Sequence, residues 1–363
     1  MSVAIHLENL QINAYRGIND LSIDNLGHVN LIVGGNNSGK TSLLEAIHLF
    51  CNPNRYDLML LARGREMTKL GSRRMDLLDS LVYLFDPTSE TLCLNIEGVL
   101  CNEKHVVDIQ GMVTEQLVDL RDFRYPSSHL GFPIDDENED TQAEVDVFVG
   151  HIKHNTTTTN LEISKYSKMR SDSTRHQLLT TSFIRAFEHV INDHFANLIK
   201  DQAIKDEAVS LLKIFDNSIS DLRYIKKDRS FFPMVTQEDG SEKPLSVYGD
   251  GMKKALTILN EMIAAKNGLV FIDEFETALH TTAMEKVFNF MLSLAKRLNI
   301  QLFLTTHSIE AVDKMLLSAK DDENIDSLRI VRIKKKATKA FARVQKGSVA
   351  LEKREENEME LRI

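Results

Sequence analysis

The amino-acid sequence predicts an α/β fold with a mostly parallel core sheet, an N-terminal antiparallel β group and a mainly helical insertion. Apolar strand-like runs alternate with helix-length segments in the last third of the chain, and this alternation favours a parallel sheet. Near the start of the chain, a glycine-rich turn joins an apolar strand to an amphipathic helix. The block between these two ends is polar and carries no recognisable motif, so we interpret it as an insertion.

Residues 1–110 are predicted to form the N-terminal part of one head. Strand-like runs are found at 4–7, 21–23 and 29–33, and a second group of alternating apolar residues covers 91–110. After Gly39 the spacing becomes helical, and one face of that helix is formed by Leu43, Leu44, Ile47 and Phe50.

Residues 111–225 are predicted to form the mixed, mainly helical insertion. We interpret the acidic run Asp135–Asp140 and the threonine run Thr156–Thr159 as polar loops, and we expect amphipathic helices from about 175 to 218. The block has no sustained heptads, which argues against a long coiled-coil arm.

Residues 226–363 are predicted to complete the head. The expected order is a helix at 252–265, a buried strand at 269–272, a helix at 284–298 and a strand at 302–305, followed by a hairpin at about 328–345. The charged tail is interpreted as solvent-exposed, with acids at Glu352, Glu355, Glu356, Glu358 and Glu360.

Composition excludes several classes of protein. The 363 residues are 42% hydrophobic and carry a net charge of −9, which fits a globular protein and disfavours a general nucleic-acid binder, although a local basic patch is left open. Three cysteines are too few for a disulfide framework or a zinc cluster. No signal peptide and no run of about 18 apolar residues is found, so we expect a soluble, cytoplasmic protein without a membrane segment.

The segment from Gly34 to Thr41 matches the phosphate-loop pattern G-x-x-x-x-G-K-[ST]. Its glycines let backbone N–H groups converge on phosphates at the start of a helix. Lys40 is expected to neutralise the β and γ phosphates, and the Thr41 hydroxyl is expected to bind Mg²⁺. The sequence therefore predicts a P-loop NTPase in which ATP is contacted by Gly34, Asn36, Asn37, Ser38, Gly39, Lys40, Thr41 and Ser42.

An acidic pair, Asp273 and Glu274, directly follows the apolar run 269–272. A run this apolar suits a central parallel strand, and ligands of open α/β sheets bind at the carboxyl ends of such strands. We predict that Asp273 binds Mg²⁺ directly or through a water molecule and that Glu274 orients the attacking water, with Lys40 as a further catalytic group. The alternative is a plain acidic turn, which the nearby phosphate loop disfavours.

A further apolar strand runs into His307, and at this point the set of motifs resembles the ABC-type ATPase heads of SMC and RecF proteins. It is most similar to bacterial AAA-type ATPases allied to the OLD family, without their TOPRIM nuclease module. The resemblance implies that His307 contacts the γ phosphate, that Thr277–His280 crosses to a second subunit, and that Arg16 lies near the nucleotide.

The resemblance also implies a signature motif before the helix at 252–265. The candidates are Ser246, Gly249 and Gly251, with Val247 where such heads carry the signature serine. A plain turn and helix cap is the alternative. Two phosphate-binding surfaces on one chain would place two ATP molecules between the subunits of a homodimer.

The function that the resemblance implies is a dimeric, Mg²⁺-dependent ATPase that switches a separate effector, a nuclease or toxin, in bacterial anti-phage defence. Two alternatives are a RecF-like repair ATPase that binds DNA directly and a nucleotide-gated scaffold with little turnover. A basic strip at 329–346 bears on the DNA alternative, and it contains Arg329, Arg332, Lys334, Lys335, Lys336, Lys339, Arg343 and Lys346. We favour the interpretation that these residues form the solvent face of an edge hairpin, where lysines block strand pairing.

Overall fold

A computed structural model describes residues 5–65, 75–86, 91–119, 142–168, 176–188, 198–199, 201–227, 230–321, 325–336 and 339–357. The acidic run 135–140 and the glutamates at 358 and 360 lie outside this part of the chain. The strands are β1 Leu7–Tyr15, β2 Ile18–Ile23, β3 Val29–Val33, β4 Leu92–Leu100, β5 Glu103–Asp119, β6 Gln142–His154, β7 Thr157–Ser164, β8 Thr181–Ile184, β9 Ile219–Lys227, β10 Ser230–Gln237, β11 Glu242–Pro244, β12 Leu269–Ile272, β13 Gln301–Thr306, β14 Leu328–Lys336 and β15 Lys339–Lys346. The helices are α1 Lys40–Cys51, α2 Arg55–Gly64, α3 Leu77–Val82, α4 Gln202–Lys213, α5 Asp250–Ala264, α6 Thr281–Leu298, α7 Ile309–Asp321 and α8 Gly347–Asn357.

The core sheet has the order β15-β14-β3-β13-β12-β8. Its four inner pairings from β14 to β8 are parallel, and only the edge strand β15 runs antiparallel. Every residue of β3, β12 and β13 is buried, as expected for strands covered on both faces. The predicted mostly parallel core sheet is therefore confirmed.

Alternate residues of the core strands enter two different hydrophobic cores. Leu269 and Phe271 of β12 face a core shared with α1, α2 and the N-terminal strands. Val270 and Ile272 face the opposite core, which is built with α5, α6 and α7. This division follows from the two-residue period of a strand, and it fixes the core sheet between two apolar layers.

The second sheet is antiparallel, with the order β2-β1-β4-β5-β6-β7. The predicted N-terminal antiparallel group is present, but the sheet continues well beyond residue 110. β5 runs on to Asp119 and pairs along β6, and β7 completes the edge. Helix α1 packs between this sheet and the core sheet.

The prediction of a mainly helical block at 111–225 is wrong for its described residues, which are mostly strands. The threonine run forms the start of β7, whose first four residues are exposed, so no apolar alternation marked it as a strand. Where helices were expected from 175, β8 instead adds to the edge of the core sheet beside β12. Of the expected helices, the structure describes α4 at 202–213, which packs through Ala208, Leu211 and Leu212.

A small sheet, β11-β10-β9, lies before α5 in the chain. β9 and β10 contribute Leu222 and Val235 to the same core as α4 and α5. The predicted C-terminal hairpin is confirmed as β14 and β15. Among the helices of the described segments, none is long and apolar enough to cross a membrane.

Candidate nucleotide-binding site

The phosphate loop connects β3 to α1, as the sequence predicts. Gly39 precedes the first helical residue with a φ of 99°, a left-handed conformation that favours glycine, and a Cβ there would lie 3.3 Å from Ile18. Lys40 arches back over the loop, and its Nζ donates to the carbonyl oxygens of Gly34 at 2.9 Å and Gly35 at 3.0 Å. Burial lowers the pKa of Lys40, an effect opposed by the nearby carboxylates, Asp273 foremost.

The first turn of α1 is suited to an anion. In the described structure no side chain caps its backbone N–H groups, and this turn contains no acidic residue. Free N–H groups at a helix N-terminus carry partial positive charge and bind phosphate. The exposed backbone of Gly35 to Asn37 leads into this turn, while Ser38 is buried against Gly34.

Three chain segments meet at the carboxylate of Asp273. The Thr41 hydroxyl of α1 donates to Asp273 Oδ1 at 3.1 Å and Oδ2 at 3.0 Å. Thr305 of β13 donates to Asp273 Oδ1 at 2.5 Å. The structure thus brings Thr41 and Asp273, the two predicted metal ligands, into direct contact.

This pair of oxygen donors fits Mg²⁺. The ion usually takes only one or two protein oxygens and completes its octahedral shell with waters and substrate phosphates. Thr41 and Asp273 stand beside the phosphate loop and offer a hydroxyl and a carboxylate. They would hold the ion at the end of β12, next to the phosphates of a bound nucleotide.

Glu274 has an unusual backbone conformation. Its φ is 46°, in the left-handed region that costs energy for a residue with a side chain. The Glu274 N–H donates to the Thr305 hydroxyl at 2.9 Å, which holds this turn against β13. Its side chain stays 44% exposed, so the carboxylate is available to a water or a ligand.

His307 follows directly after β13 and faces two carboxylates. Its Nδ1 lies 3.7 Å from Glu274 Oε1 and 3.5 Å from Glu276 Oε1, and its side chain is 53% exposed. The same Glu276 oxygen accepts hydrogen bonds from the Thr306 hydroxyl at 2.6 Å and from the His307 N–H at 3.3 Å. The predicted catalytic pair Glu274 and His307 is therefore adjacent, and Glu276 joins their two loops.

Glu276 is a site residue that the sequence interpretation missed. It follows the acidic pair by two residues and could have been considered as part of one D-E-F-E run. Its side chain is largely buried, and its carboxylate accepts hydrogen bonds from the end of β13 and from the residue that follows it. We interpret it as a group that positions His307.

Lys254 on α5 is a second missed residue. Its side chain is fully buried, and its Nζ has no hydrogen-bond partner among the described residues. Burial lowers its pKa to about 8, while the carboxylates of Asp273, Glu188, Glu276 and Glu274 act in the opposite direction. A lysine within the apolar face of a predicted helix is the sequence signal that could have identified it.

The structure places Arg16 among protein partners. Its Nε lies 3.1 Å from Glu45 Oε2, and its Nη2 donates to the Leu61 carbonyl at 2.8 Å. Arg65 was missed by the sequence interpretation, and its Nη2 donates to the predicted contact Ser42 at 3.0 Å. Arg65 also pairs with Glu45 at 2.9 Å and is only partly exposed. A nucleotide contact from Arg16 stays a prediction.

The predicted signature residues lie at the start of α5. Ser246 is exposed in a short 3-10 turn at Leu245–Val247, one turn before the helix, and Gly249 is the N-cap residue of α5. A Cβ at Gly251 would lie 2.7 Å from the Ala278 carbonyl oxygen, so this glycine allows α5 to approach the loop after the acidic pair. The nucleotide contacts of these three residues stay predictions.

The chain is similar in sequence to proteins of a known family and to a named relative. The family model described as "AAA domain, putative AbiEii toxin, Type IV TA system" matches residues 29–313. The chain is 22% identical over 332 residues to a protein of Helicobacter pylori named "ATP/GTP phosphatase", covering 85% of this chain and 86% of that protein.

Solved structures of similar proteins include SMC heads. The SMC head domain from Thermotoga maritima is 12% identical with a TM-score of 0.48, and the alignment covers 94% of this chain and 100% of that one. The Smc head of Pyrococcus furiosus bound to the C-terminal domain of ScpA is 11% identical with a TM-score of 0.48, over 98% of this chain and 100% of that one.

The family match begins at β3, spans the phosphate loop, the acidic pair and His307, and covers well over half of the chain. It describes an ATPase of the AAA/ABC type, in agreement with the order of these motifs along the sequence. The chain therefore belongs to this AAA-domain family of ATPases.

Proposed function

We propose that this protein is a Mg²⁺-dependent ATPase that dimerises around ATP and acts as a nucleotide-driven switch for a separate effector. The observation that carries the proposal is the junction at Asp273. One carboxylate there receives hydroxyl hydrogen bonds from both the phosphate-loop helix and β13. Binding of a triphosphate to the loop would therefore alter contacts at the ends of β12 and β13.

The residues of this junction have separate roles in the proposal. Lys40 would leave the carbonyls of Gly34 and Gly35 and pair with the β and γ phosphates. Glu274 would accept a hydrogen bond from the attacking water and orient it towards the γ phosphate. Mg²⁺, when bound, would neutralise charge on the phosphate oxygens.

His307 would donate a hydrogen bond to the γ phosphate, and Glu276 would set its position from behind. Because both Glu274 and His307 remain about half exposed, the shell around the γ phosphate is open on one side within a single chain. The exposed N-terminus of α5, at Gly249, would serve as a second phosphate-binding surface on the same chain. A second copy that places its α5 N-terminus over the first copy's phosphate loop would close both sites.

The effector part of the proposal depends on the family. Its description names a toxin of a type IV toxin–antitoxin system, and such a setting favours an effector-coupled switch in anti-phage defence over a repair role. The H. pylori protein is named for acting on ATP and GTP, which supports nucleotide hydrolysis. Two other functions are outcomes of the experiment below, a DNA-dependent repair ATPase and a scaffold that binds ATP with little turnover.

The test is ATP turnover by the parent protein and by Glu274→Gln, each with and without duplex DNA. We expect slow, DNA-indifferent turnover by the parent and a loss of about a hundredfold or more in the variant, because the carboxylate that orients water is gone. ATP affinity, measured by equilibrium binding, should stay within a few-fold of the parent. Glu310→Gln is the matched control, an exposed glutamate three residues after His307 that the site does not use.

Each alternative has a distinct result. Strong stimulation of the parent by DNA would favour the repair ATPase. Tight ATP binding with no turnover by the parent would favour the scaffold. Full activity of Glu274→Gln would remove Glu274 from the proposed chemistry.

A further inference from the structure

An open cavity of about 640 Å³ lies beside the phosphate loop. Its floor is the loop from Gly35 to Ser38, and its wall is the tip of the β14–β15 hairpin, with Ile333 to Lys336 and Phe341. None of these wall residues takes part in the phosphate chemistry described above. The contacts described so far leave the cavity without an assigned ligand.

The strand order explains why the hairpin tip stands here. β14 pairs with β3 only as far as the partners Arg332 and Val33, and its last four residues then project past the point where the phosphate loop begins. The Ile333 carbonyl lies 2.6 Å from the position of a Cβ on Gly34, so the hairpin is in contact with the loop. An ion pair of 2.8 Å between Lys339 and Asp20 of β2 further ties the hairpin to the N-terminal sheet.

The same strand order predicts how a bound nucleotide is oriented along the carboxyl edge of the core sheet. Asp273, Glu274 and His307 end strands β12 and β13, which lie on one side of β3, while β14 lies on the other side. The γ phosphate belongs on the β13 side. The nucleoside end of the same molecule must leave the loop elsewhere, and the cavity provides room on the β14 side.

The chemistry of the wall matches a nucleoside. Phe341 is 54% exposed, which leaves a large apolar ring in contact with solvent. It is the cross-strand partner of Lys334, so the two side chains share one face of the hairpin. Lys335 reaches the turn between β1 and β2, where its Nζ is 3.0 Å from the position of a Cβ on Gly17. An exposed ring flanked by ammonium groups can stack on a base while the cations face phosphate and ribose oxygens.

We propose that the tip of the β14–β15 hairpin is the subsite for the nucleoside end of ATP, with Phe341 stacking on the base. This inference rests on the proposed function, since it requires that the phosphate loop binds a nucleotide. It assigns the lysines at 334–336 to the nucleotide, where the sequence alone left them between a DNA strip and a plain edge hairpin.

The test compares ATP with inorganic tripolyphosphate, which has the phosphates and lacks the nucleoside. Affinities are measured by calorimetry for the parent, Phe341→Ala and the matched control Phe232→Ala, which removes another exposed phenylalanine on β10. We expect Phe341→Ala to weaken ATP about tenfold, the scale of one lost base–aromatic stack, and to leave tripolyphosphate binding unchanged. Phe341→Trp should retain parent affinity, and Phe232→Ala should change neither ligand. Photolabelling with 8-azido-ATP should modify the segment 339–346.

Three results would overturn the inference. They are an unchanged ATP affinity in Phe341→Ala, an equal loss for ATP and tripolyphosphate, and a photolabel located away from the hairpin. Loss of duplex DNA binding in Phe341→Ala at parent ATP affinity would assign the surface to DNA instead. A parent protein that binds no ATP at all would contradict the proposed function itself, and this result is distinct from the other four.

Discussion

At the residue scale, a buried ammonium group stands behind the acidic pair. Lys254 of α5 is fully enclosed, and the carboxylates of Asp273, Glu188, Glu276 and Glu274 act on it electrostatically. Desolvation outweighs their attraction, because the net effect lowers the pKa to about 8. Lys254 therefore places a buried cation near the acids at a cost in stability, and its replacement tests whether ATP turnover depends on that charge.

The pH dependence of this cost has a definite sign. Below about pH 8 Lys254 is charged in the folded and unfolded chains alike, and its burial is fully unfavourable. Between about pH 8 and the unfolded value of 10.5, the folded protein releases the proton while the unfolded chain keeps it, so the contribution of this group to stability rises with pH. The full effect is on the order of 3 kcal/mol.

Lys254→Met should therefore raise the free energy of unfolding at pH 7 by about 1–3 kcal/mol, and the gain should shrink by pH 9.5. Urea unfolding at the two pH values measures it. Lys253→Met, at the neighbouring, partly exposed position that pairs with Asp250, is the control and should show no such pH-dependent gain. We also expect Lys254→Met to lower ATP turnover, because the acids lose a buried cation that interacts with them electrostatically. Destabilisation of Lys254→Met at both pH values would contradict this assignment.

At the element scale, the start of α5 must pack closely against the loop that follows the acidic pair. Gly251 allows this approach, since a Cβ would lie 2.7 Å from the Ala278 carbonyl and 3.4 Å from the Phe215 ring. Ala278 itself has a φ of 69°, so the loop has little freedom to move away. Gly249, two residues earlier, has no atom within 4 Å of its Cβ position and a negative φ.

Gly251→Ala should lower the melting temperature by several degrees, because overpacking against backbone costs about 1–3 kcal/mol. Gly249→Ala should melt like the parent, since nothing in the described structure obstructs the added methyl group. Thermal unfolding followed by circular dichroism measures both. Equal melting temperatures for the two variants would show that α5 does not depend on this close contact.

The core strands that end at the candidate site were predictable from the sequence, and the strands of the insertion were not. β12 has the predicted bounds, and β13 extends the predicted strand by one residue at each end, because fully buried parallel strands appear as uninterrupted apolar runs. β6 and β7 escaped recognition because the outer part of their sheet is solvated, and the threonines at 157–159 have strand propensity without apolar alternation. β8 is only four residues long, and its place at the core sheet depends on a long-range pairing with β12.

The placement of the candidate site residues was predictable from sequence where those residues belong to local motifs. The phosphate loop, Asp273 and His307 each follow an apolar strand, and their proximity results from strand order in a parallel sheet. Glu276, Lys254 and Arg65 contribute through contacts that join distant parts of the chain, and no local pattern distinguishes them from ordinary surface or helix residues.

At the scale of the whole molecule, the core sheet is held between two apolar layers, while Glu274 and His307 at its carboxyl edge are about half exposed. The α5–α7 layer carries the N-terminus of α5, and the opposite layer carries α1 and the antiparallel sheet. Within one chain, α5 approaches the loop at 277–280 through Gly251, while Gly249 at its tip remains exposed. This arrangement favours a site that is completed by a second copy, which is the central claim of the proposed switch.

The most direct measurement is the mass of Glu274→Gln in solution, by size-exclusion chromatography with light scattering, with and without Mg²⁺-ATP. Slow turnover should trap the nucleotide-bound state, so we expect a mass near twice 41.2 kDa with ATP and near 41.2 kDa without it. Lys40→Ala in the same background should stay near 41.2 kDa in both conditions, because it cannot hold the phosphates. An ATP-saturated Glu274→Gln protein that remains monomeric, or a Lys40→Ala protein that dimerises equally well with ATP, would contradict the claim.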